Sequence, residues 1–186
     1  MKVFFSMSFR GDVAIGRKIY KILSQMGHKH TSTCFAENET VPTDFYAFSK
    51  TQLARHYAQI FSELAAADLV VEEASIQSVT TGQVIQKALD NRIPVLVLHT
   101  KGNKPFFLDG IEVEERRMLI VEYNEENLEE VLKEGVDYLS EELSSRFTMI
   151  LPNTMLKFLD EASDKGVSKS DYIRKLITEK MEEQAV

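Results

Sequence analysis

Strand-like and helix-like segments alternate through residues 1–143, and this alternation constrains the fold more than any other feature of the chain. Short runs rich in Val, Ile, Leu and Phe predict five strands, at residues 2–7, 28–34, 69–73, 93–99 and 117–123. Apolar residues recur at helical spacing between them. Such alternation is typical of a parallel sheet with helices on both faces. We therefore predict an α/β domain over residues 1–143.

Residues 145–186 have a different pattern, which predicts a second, much smaller domain. Side chains alternate over residues 146–151 as in a strand, Pro152 ends it, and two helical segments follow. A unit of one strand and two helices is too small to bury a core of its own. Because Cys34 is the only cysteine, a disulfide cannot supply the missing stability. We therefore expect this segment to dimerise, giving a homodimer or a higher even oligomer.

The tail resembles the ribbon-helix-helix family of the Arc and MetJ type, in which two chains pair their strands into a ribbon that enters the DNA major groove. The resemblance implies base contacts from Arg146, Thr148 and Ile150, and phosphate contacts from the backbone at Ser168 and Lys169. Positive and negative side chains balance from residue 144 onward, with seven of each. Phosphate neutralisation would therefore contribute little affinity, and a tail that only dimerises is the alternative.

Composition restricts the classes of function that remain. The net charge is −7, and since the tail sums to zero, the acidic excess lies in residues 1–143. An acidic domain argues against contact with nucleic acid or an anionic membrane there. The sequence also shows no apolar run of membrane-spanning length, no signal peptide and a single cysteine. We expect a cytoplasmic protein with no cofactor and no bound metal.

Two segments at predicted strand ends carry the side chains that could bind a ligand. In open α/β sheets the ligand lies at the carboxyl ends of the strands. Both segments bring hydroxyls close to a helix N-terminus, which favours a phosphate or ribose, although hydroxyl-rich turns before helices often serve only as caps. The candidates in the first segment are Ser6, Ser8, Phe9, Arg10, Gly11 and Asp12. Those in the second, a turn before a helix predicted at residues 83–91, are Ser75, Ser78, Thr81 and Gly82.

Together, residues 8–11, residues 67–71, the turn from Ser78 to Gly82 and the strand at residues 93–98 resemble the nucleoside 2-deoxyribosyltransferase superfamily, most of all its 2'-deoxynucleoside 5'-phosphate N-hydrolases. The resemblance implies a flavodoxin-like sheet of strand order 2-1-3-4-5 and an oligomer that binds a nucleoside or nucleoside monophosphate. By that match Ser8, Arg10, Gly11 and Ser78 would hold the phosphate, and Gly82 would let the sugar approach closely.

The sequence departs from this superfamily at the residues that carry its chemistry. The resemblance implies a catalytic glutamate and a helical aspartate at positions that are Val84 and Ile60 here, and neither side chain can transfer a proton or attack a sugar. Glu72 or Glu73 could substitute, and strand alternation directs only one of them toward the site. Other acidic candidates lie in the long loop after residue 30: Glu37, Glu39 and Asp44.

Smaller groups have both a functional and a purely structural interpretation. His28, His30 and Cys34 could supply metal ligands, but two strand histidines without a third ligand are more often surface residues. Phe106 and Phe107 could stack on a base, but packing of a loop is favoured. The remaining candidates for ligand contact are His99, Thr100, Phe45, Tyr46 and Tyr57.

Two hypotheses follow from the sequence. The favoured one is a nucleotide sensor without catalytic activity, coupled to a dimeric DNA-binding tail, that is, a transcriptional regulator. The alternative is a nucleoside N-glycosidase or deoxyribosyltransferase with a displaced carboxylate, in which the tail serves only for oligomerisation.

Overall fold

The computed structural model describes residues 1–36, 47–111, 117–140, 151–163 and 169–184. The chain divides into two compact units, Met1–Ser145 and Arg146–Val186, and each is described by itself. Within the described ranges, no helix is both long enough and apolar enough to cross a membrane.

The first unit is built on a five-stranded parallel sheet. Its strands are β1 (Lys2–Met7), β2 (Lys29–His30), β3 (Leu69–Glu73), β4 (Val95–Thr100) and β5 (Met118–Tyr123). They lie in the order β2-β1-β3-β4-β5, and every neighbouring pair is parallel. This confirms the predicted α/β fold with its flavodoxin-like strand order. Because β1 lies between β2 and β3, the chain leaves β1 toward one edge of the sheet and later returns on its other side.

Four helices cover the sheet: α1 (Val13–Gln25), α2 (Lys50–Ala65), α3 (Val79–Asp90) and α4 (Leu128–Ser140). The apolar residues of α1 and α4 pack on one face, with Phe5 and Val71 among the strand residues they bury. Those of α2 and α3 pack on the other face, against Phe4 and Val70. Neighbouring strand residues thus enter opposite layers, as the twofold side-chain alternation of a strand requires.

Local hydrogen bonds explain where three elements depart from their predicted bounds. Strand β2 ends at His30 rather than at residue 34: the Thr31 N–H still donates to Val3 O of β1 at 3.0 Å, but the N–H groups of Cys34 and Ala36 bond locally, to the Ser32 hydroxyl at 3.5 Å and to Thr33 O at 2.9 Å. Helix α3 begins at Val79 rather than at residue 83, because the Ser78 hydroxyl caps it by accepting the Thr81 N–H at 3.1 Å. Apolar residues at helical spacing predict a helix over residues 124–143, but α4 begins at Leu128, because the Asn124 and Asn127 side chains accept each other's backbone N–H in a turn before it.

The second unit contains two described helices, α5 (Asn153–Ser163) and α6 (Lys169–Gln184). Lys169 forms an ion pair with Asp160, and the rings of Phe158 and Tyr172 meet with their centroids 5.9 Å apart. The predicted DNA-contacting residues Arg146, Thr148, Ile150 and Ser168 lie outside the described residues.

Two helical glycines give a matched test of the packing of the first unit. A Cβ on Gly16 of α1 would lie 2.6 Å from Met7 Sδ and 2.8 Å from the Phe35 ring, whereas a Cβ on Gly82 of α3 would meet nothing within 4 Å. We expect Gly16→Ala to lower the free energy of unfolding by about 1–3 kcal/mol through overpacking. Gly82→Ala should be neutral or stabilising by up to about 1 kcal/mol, because alanine favours helix. Urea unfolding of both variants measures the difference, and equal stabilities would contradict this packing.

Candidate functional site

A cavity of about 950 Å³ opens at the carboxyl end of β1. Its walls are the end of β1, the segment that follows β2, one face of α2 and the first turn of α3. The position agrees with the crevice in which open α/β folds bind ligands, and the volume is within the range of small-molecule sites. Six of the ten ligand-binding residues predicted from the sequence line the cavity: Ser6, Ser8, Phe9, Arg10, Ser78 and Thr81.

One wall of the cavity is polar and suits an anion. Ser78 is the N-cap of α3, and its hydroxyl lies 3.0 Å from that of Thr81 in addition to accepting the Thr81 N–H. The N-terminus of a helix carries a partial positive charge and N–H groups without partners inside the helix. Arg10 adds a guanidinium, and Ser8 adds a hydroxyl to which the Arg10 N–H donates at 3.4 Å. A phosphate or carboxylate would find both charge and donors on this wall.

Another part of the lining forms an aromatic wall, which comes mainly from α2. Tyr57 and Phe61 lie one turn apart with ring centroids 4.5 Å from each other. Phe9 stacks on Phe35 at a centroid distance of 6.0 Å and lies 6.4 Å from the ring of His56. Planar rings at these positions present a surface on which a flat heterocycle could stack.

Sequence reasoning identified Tyr57 but missed most of this wall. The cavity residues of α2 that it missed as ligand contacts are Leu53, His56 and Phe61, and with Tyr57 and Ile60 they recur every three or four residues. That helical stripe was visible in the sequence. A stripe of apolar and aromatic residues usually predicts core, so the pattern alone does not indicate a cavity wall.

Two predicted ligand residues before α1 have structural tasks outside the cavity lining. Gly11 permits a tight turn, because a Cβ there would lie 2.6 Å from Met7 Cε and 3.0 Å from Ser8 O. The Asp12 carboxylate caps α1 by accepting the Ala14 N–H at 2.8 Å.

The other two predicted residues outside the lining follow β3. The Ser75 hydroxyl accepts the N–H and the hydroxyl of Thr100, at 2.8 and 3.0 Å, and so joins the ends of β3 and β4. Gly82 lies in the first turn of α3, with open space where a side chain would be. Ligand contacts by these residues, as by Gly11 and Asp12, stay predictions.

Glu72 and Glu73 point to opposite faces of the sheet, as strand alternation requires. Glu72 shares the face of Val70 and Ala74, which pack with α2 and α3. Its side chain is fully buried, and neither carboxylate oxygen has a partner in hydrogen-bonding geometry. Burial raises the pKa of Glu72 to about 8, while the nearby hydroxyls of Thr81 and Ser6 offset part of that rise. A neutral carboxyl group therefore lies directly behind two residues that line the cavity.

Glu73, on the other face, has the partners that Glu72 lacks. Its Oε1 accepts the Tyr123 hydroxyl at 3.1 Å and the Ser75 N–H at 3.2 Å. Burial and then the charge of Glu73 raise the pKa of Tyr123, so this phenol remains a donor. The two adjacent glutamates thus differ in chemistry, one neutral and unsatisfied and the other held by two hydrogen bonds.

The positions at which the resemblance implies carboxylates carry apolar residues in different surroundings. Val84 is fully buried between α3 and the sheet, whereas Ile60 is on the cavity wall. Among the described residues, no Asp or Glu lines the cavity. The remaining candidates of the long loop, Glu37, Glu39, Asp44, Phe45 and Tyr46, lie outside the described residues.

The smaller candidate groups do not form a second site. The His30 ring stacks on Tyr20 at 3.6 Å, and its Nε2 lies 3.0 Å from the Ser24 hydroxyl. In the described parts of the chain, no three His, Cys, Asp or Glu side chains are grouped to hold a metal ion. Phe106 and Phe107 are 72% and 81% exposed, so the favoured interpretation that they pack a loop is wrong.

Fold and cavity together define a flavodoxin-like α/β protein with an anion-compatible and an aromatic wall at the carboxyl edge of its sheet. No family model matches the chain, and no curated protein matches it. Among solved structures, the chain is similar to the CMP N-glycosidase BcmB of Clostridium botulinum, at 16% sequence identity and a TM-score of 0.47. That match covers 74% of this chain and 99% of the other. The case for a ligand therefore rests on the residues of the cavity.

The buried Glu72 should make stability depend on pH. Its pKa is raised from 4.5 to about 8 on folding, so its contribution is fully present below pH 4.5 and is lost as pH rises through 8. The loss corresponds to roughly 5 kcal/mol. We expect Glu72→Gln to flatten the decline of unfolding free energy between pH 5 and 9 and to be more stable than wild type at pH 9.

Urea unfolding at a series of pH values measures this, with Glu73→Gln as the matched control. Loss of the hydrogen-bonded Glu73 should lower stability and leave most of the decline with pH in place, because burial is the main cause of the raised pKa of Glu72. A Glu72→Gln profile parallel to that of the wild type would contradict a raised pKa at Glu72.

Proposed function

We propose that the α/β unit binds a nucleoside monophosphate in the cavity and senses it without cleaving it. The phosphate would lie at the first turn of α3, near Arg10 and Ser78, and the base would stack against the rings of α2. A nucleoside would occupy the same cavity more weakly, since it lacks the anionic group.

The observation that best supports this proposal is that one cavity has both a polar and an aromatic wall. Arg10, Ser8, Ser78 and the N-terminus of α3 form the polar wall, and Tyr57 with Phe61 contributes to the aromatic one. A nucleotide has the same division into a charged end and a flat heterocycle. Charge-assisted hydrogen bonds from Arg and a helix N-terminus provide orientation, while stacking provides apolar contact area.

The absence of a cavity carboxylate within the described residues favours binding over hydrolysis. Cleaving an N-glycosidic bond requires a group that attacks the anomeric carbon or stabilises its developing positive charge. Glu72 is near the cavity but buried behind Ser6 and Thr81, and its raised pKa keeps it neutral at pH 7. Hydrolysis by a displaced carboxylate is therefore the second candidate.

The prediction is tested with a panel of ribonucleoside and deoxyribonucleoside monophosphates, CMP included, and the matching nucleosides. We expect at least one monophosphate to raise the melting temperature and bind in calorimetry. Arg10→Ala should weaken its binding about tenfold by removing a charge-assisted hydrogen bond. Arg55→Ala, which removes an exposed cation of α2 outside the lining, should not.

Chromatography of the same mixtures separates a sensor from an enzyme. Release of free base that is lost in Glu72→Gln would make the protein a glycosidase. Absence of binding by every nucleotide and nucleoside would reject the cavity as a nucleotide site.

We further propose that residues 145–186 form a ribbon-helix-helix dimer that binds DNA. Apolar side chains of both described helices remain exposed within this unit, which favours a partner: Met155 and Phe158 at 55% each, Ile177 at 55% and Met181 at 66%. A second copy of the unit could bury them, as the pairing of two chains does in that family. DNA affinity that responds to the nucleotide would then couple the two units.

The DNA proposal predicts that a double variant, Arg146→Ala with Thr148→Ala, loses retention of a random-sequence duplex at low salt while its mass in solution stays dimeric. The loss follows from removal of two proposed groove contacts on each chain. Lys157→Ala, which removes an exposed cation of α5, is the control. Electrophoretic retention and light scattering measure the two properties. A double variant that still binds DNA like wild type would leave the tail as a dimerisation unit only.

A further inference from the structure

A short line of polar groups connects the buried Glu72 to the cavity. Glu72 lies close to the Thr81 hydroxyl, although its carboxylate oxygens are not in hydrogen-bonding geometry with it, and that hydroxyl lies 3.0 Å from the hydroxyl of Ser78, which lines the cavity. Thr81 is only 6% exposed and Glu72 is fully buried, so the carboxyl group does not reach bulk water. The direction of the hydrogen bonds along this line therefore depends on where the Glu72 proton is.

The hydrogen-bond donors that this line offers to the cavity differ between the protonated and the ionised form of Glu72. The Ser78 hydroxyl already accepts the Thr81 N–H at 3.1 Å. If Glu72 is protonated and donates to Thr81, then Thr81 can donate to Ser78, whose own proton is left for a ligand. If Glu72 is ionised, Thr81 donates to the carboxylate and can only accept from Ser78, which favours a Ser78 proton that points away from the cavity.

Ser6 is the second hydroxyl near the Glu72 carboxyl group, and its hydrogen bonds depend on the Glu72 proton in the same way. Ser6 also lines the cavity and lies close to Glu72. When Glu72 is protonated, its two oxygens supply one donor and one acceptor, so either Thr81 or Ser6 is left to direct a hydroxyl donor toward the cavity. When Glu72 is ionised, both neighbours are drawn toward the carboxylate, and the added negative charge repels a bound anion.

We propose that Glu72 is a positioning residue that, in its protonated form, leaves the Ser78 or the Ser6 hydroxyl free to donate to a phosphate in the cavity, and that its ionisation draws these hydroxyls inward and releases the phosphate. This inference rests on the proposed nucleotide function. It adds that the site takes up a proton with its anionic ligand and discriminates against that ligand in alkaline conditions.

Other ionisable groups surround Glu72 on the neighbouring elements. Glu73 follows it on the opposite face of β3, and His99 of β4 lies on the same face as Glu72, two residues beyond its register partner Val97. Arg10 after β1, His56 and Tyr57 of α2, and Cys34 line the cavity. A Glu72 variant is therefore needed to assign any pH dependence.

The test measures the dissociation constants of CMP and AMP by calorimetry from pH 7.5 to 9.5, a range in which the phosphate is already fully ionised. With the Glu72 pKa at about 8, wild-type affinity should fall by up to about 25-fold across this range. Glu72→Gln, which keeps a permanent neutral donor, should bind at every pH as wild type does at pH 7.5, changing by no more than about threefold. Glu73→Gln, the control on the opposite face, should retain the wild-type fall.

Three results would overturn the proposal in distinguishable ways. Failure of CMP, AMP and every other nucleotide and nucleoside of the panel to bind wild type at any pH rejects the nucleotide function itself. Binding that falls equally in wild type and Glu72→Gln leaves that function standing and rejects the role of Glu72. If Glu72→Gln does not fold, nucleotide binding to the wild type is measured by calorimetry at pH 8.5 in two buffers of different ionisation enthalpy. The difference between the two gives the number of protons that the protein takes up on binding. Uptake of most of one proton supports the proposal, and no uptake rejects it.

Discussion

The parallel pairing of β1 with β3 is the constraint on which the rest of the first unit depends. It aligns Ser6 with Glu72 and Met7 with Glu73, so the two strands end together at the same edge of the sheet. Because β2 pairs on the other side of β1, the connections that leave this edge diverge and open a crevice. The first turn of α3 and the face of α2 then close that crevice into the cavity.

The same pairing places an unfavourable group, the Glu72 carboxyl, in the interior of the unit. A carboxyl group that is fully buried without partners destabilises a fold strongly if it is charged, and less if it takes up a proton. Glu73, one residue on, avoids this through Tyr123 and Ser75. Departures from the rule that buried polar groups are paired concentrate at functional sites, and Glu72 adjoins two residues of the cavity wall.

The sequence predicted elements with strong apolar runs accurately, and β1 and β3 have the predicted bounds. It did not predict the element bounds and contacts that depend on a single hydrogen bond or on one missing N–H donor. Pro94 has no N–H, so β4 begins at Val95 instead of residue 93. The Ser78 cap places Thr81 inside α3, with its hydroxyl near Glu72, and this depends on tertiary packing that no local pattern reveals. The exposed α2 wall likewise looked like ordinary core.

The most direct test of the central claim is the crystal structure of the protein with a bound nucleoside monophosphate. We expect the phosphate to lie at the first turn of α3, within hydrogen-bonding distance of Ser78 and Arg10. The base should stack against Tyr57 or Phe61. A nucleotide bound in the reverse orientation, or away from the cavity, would contradict it.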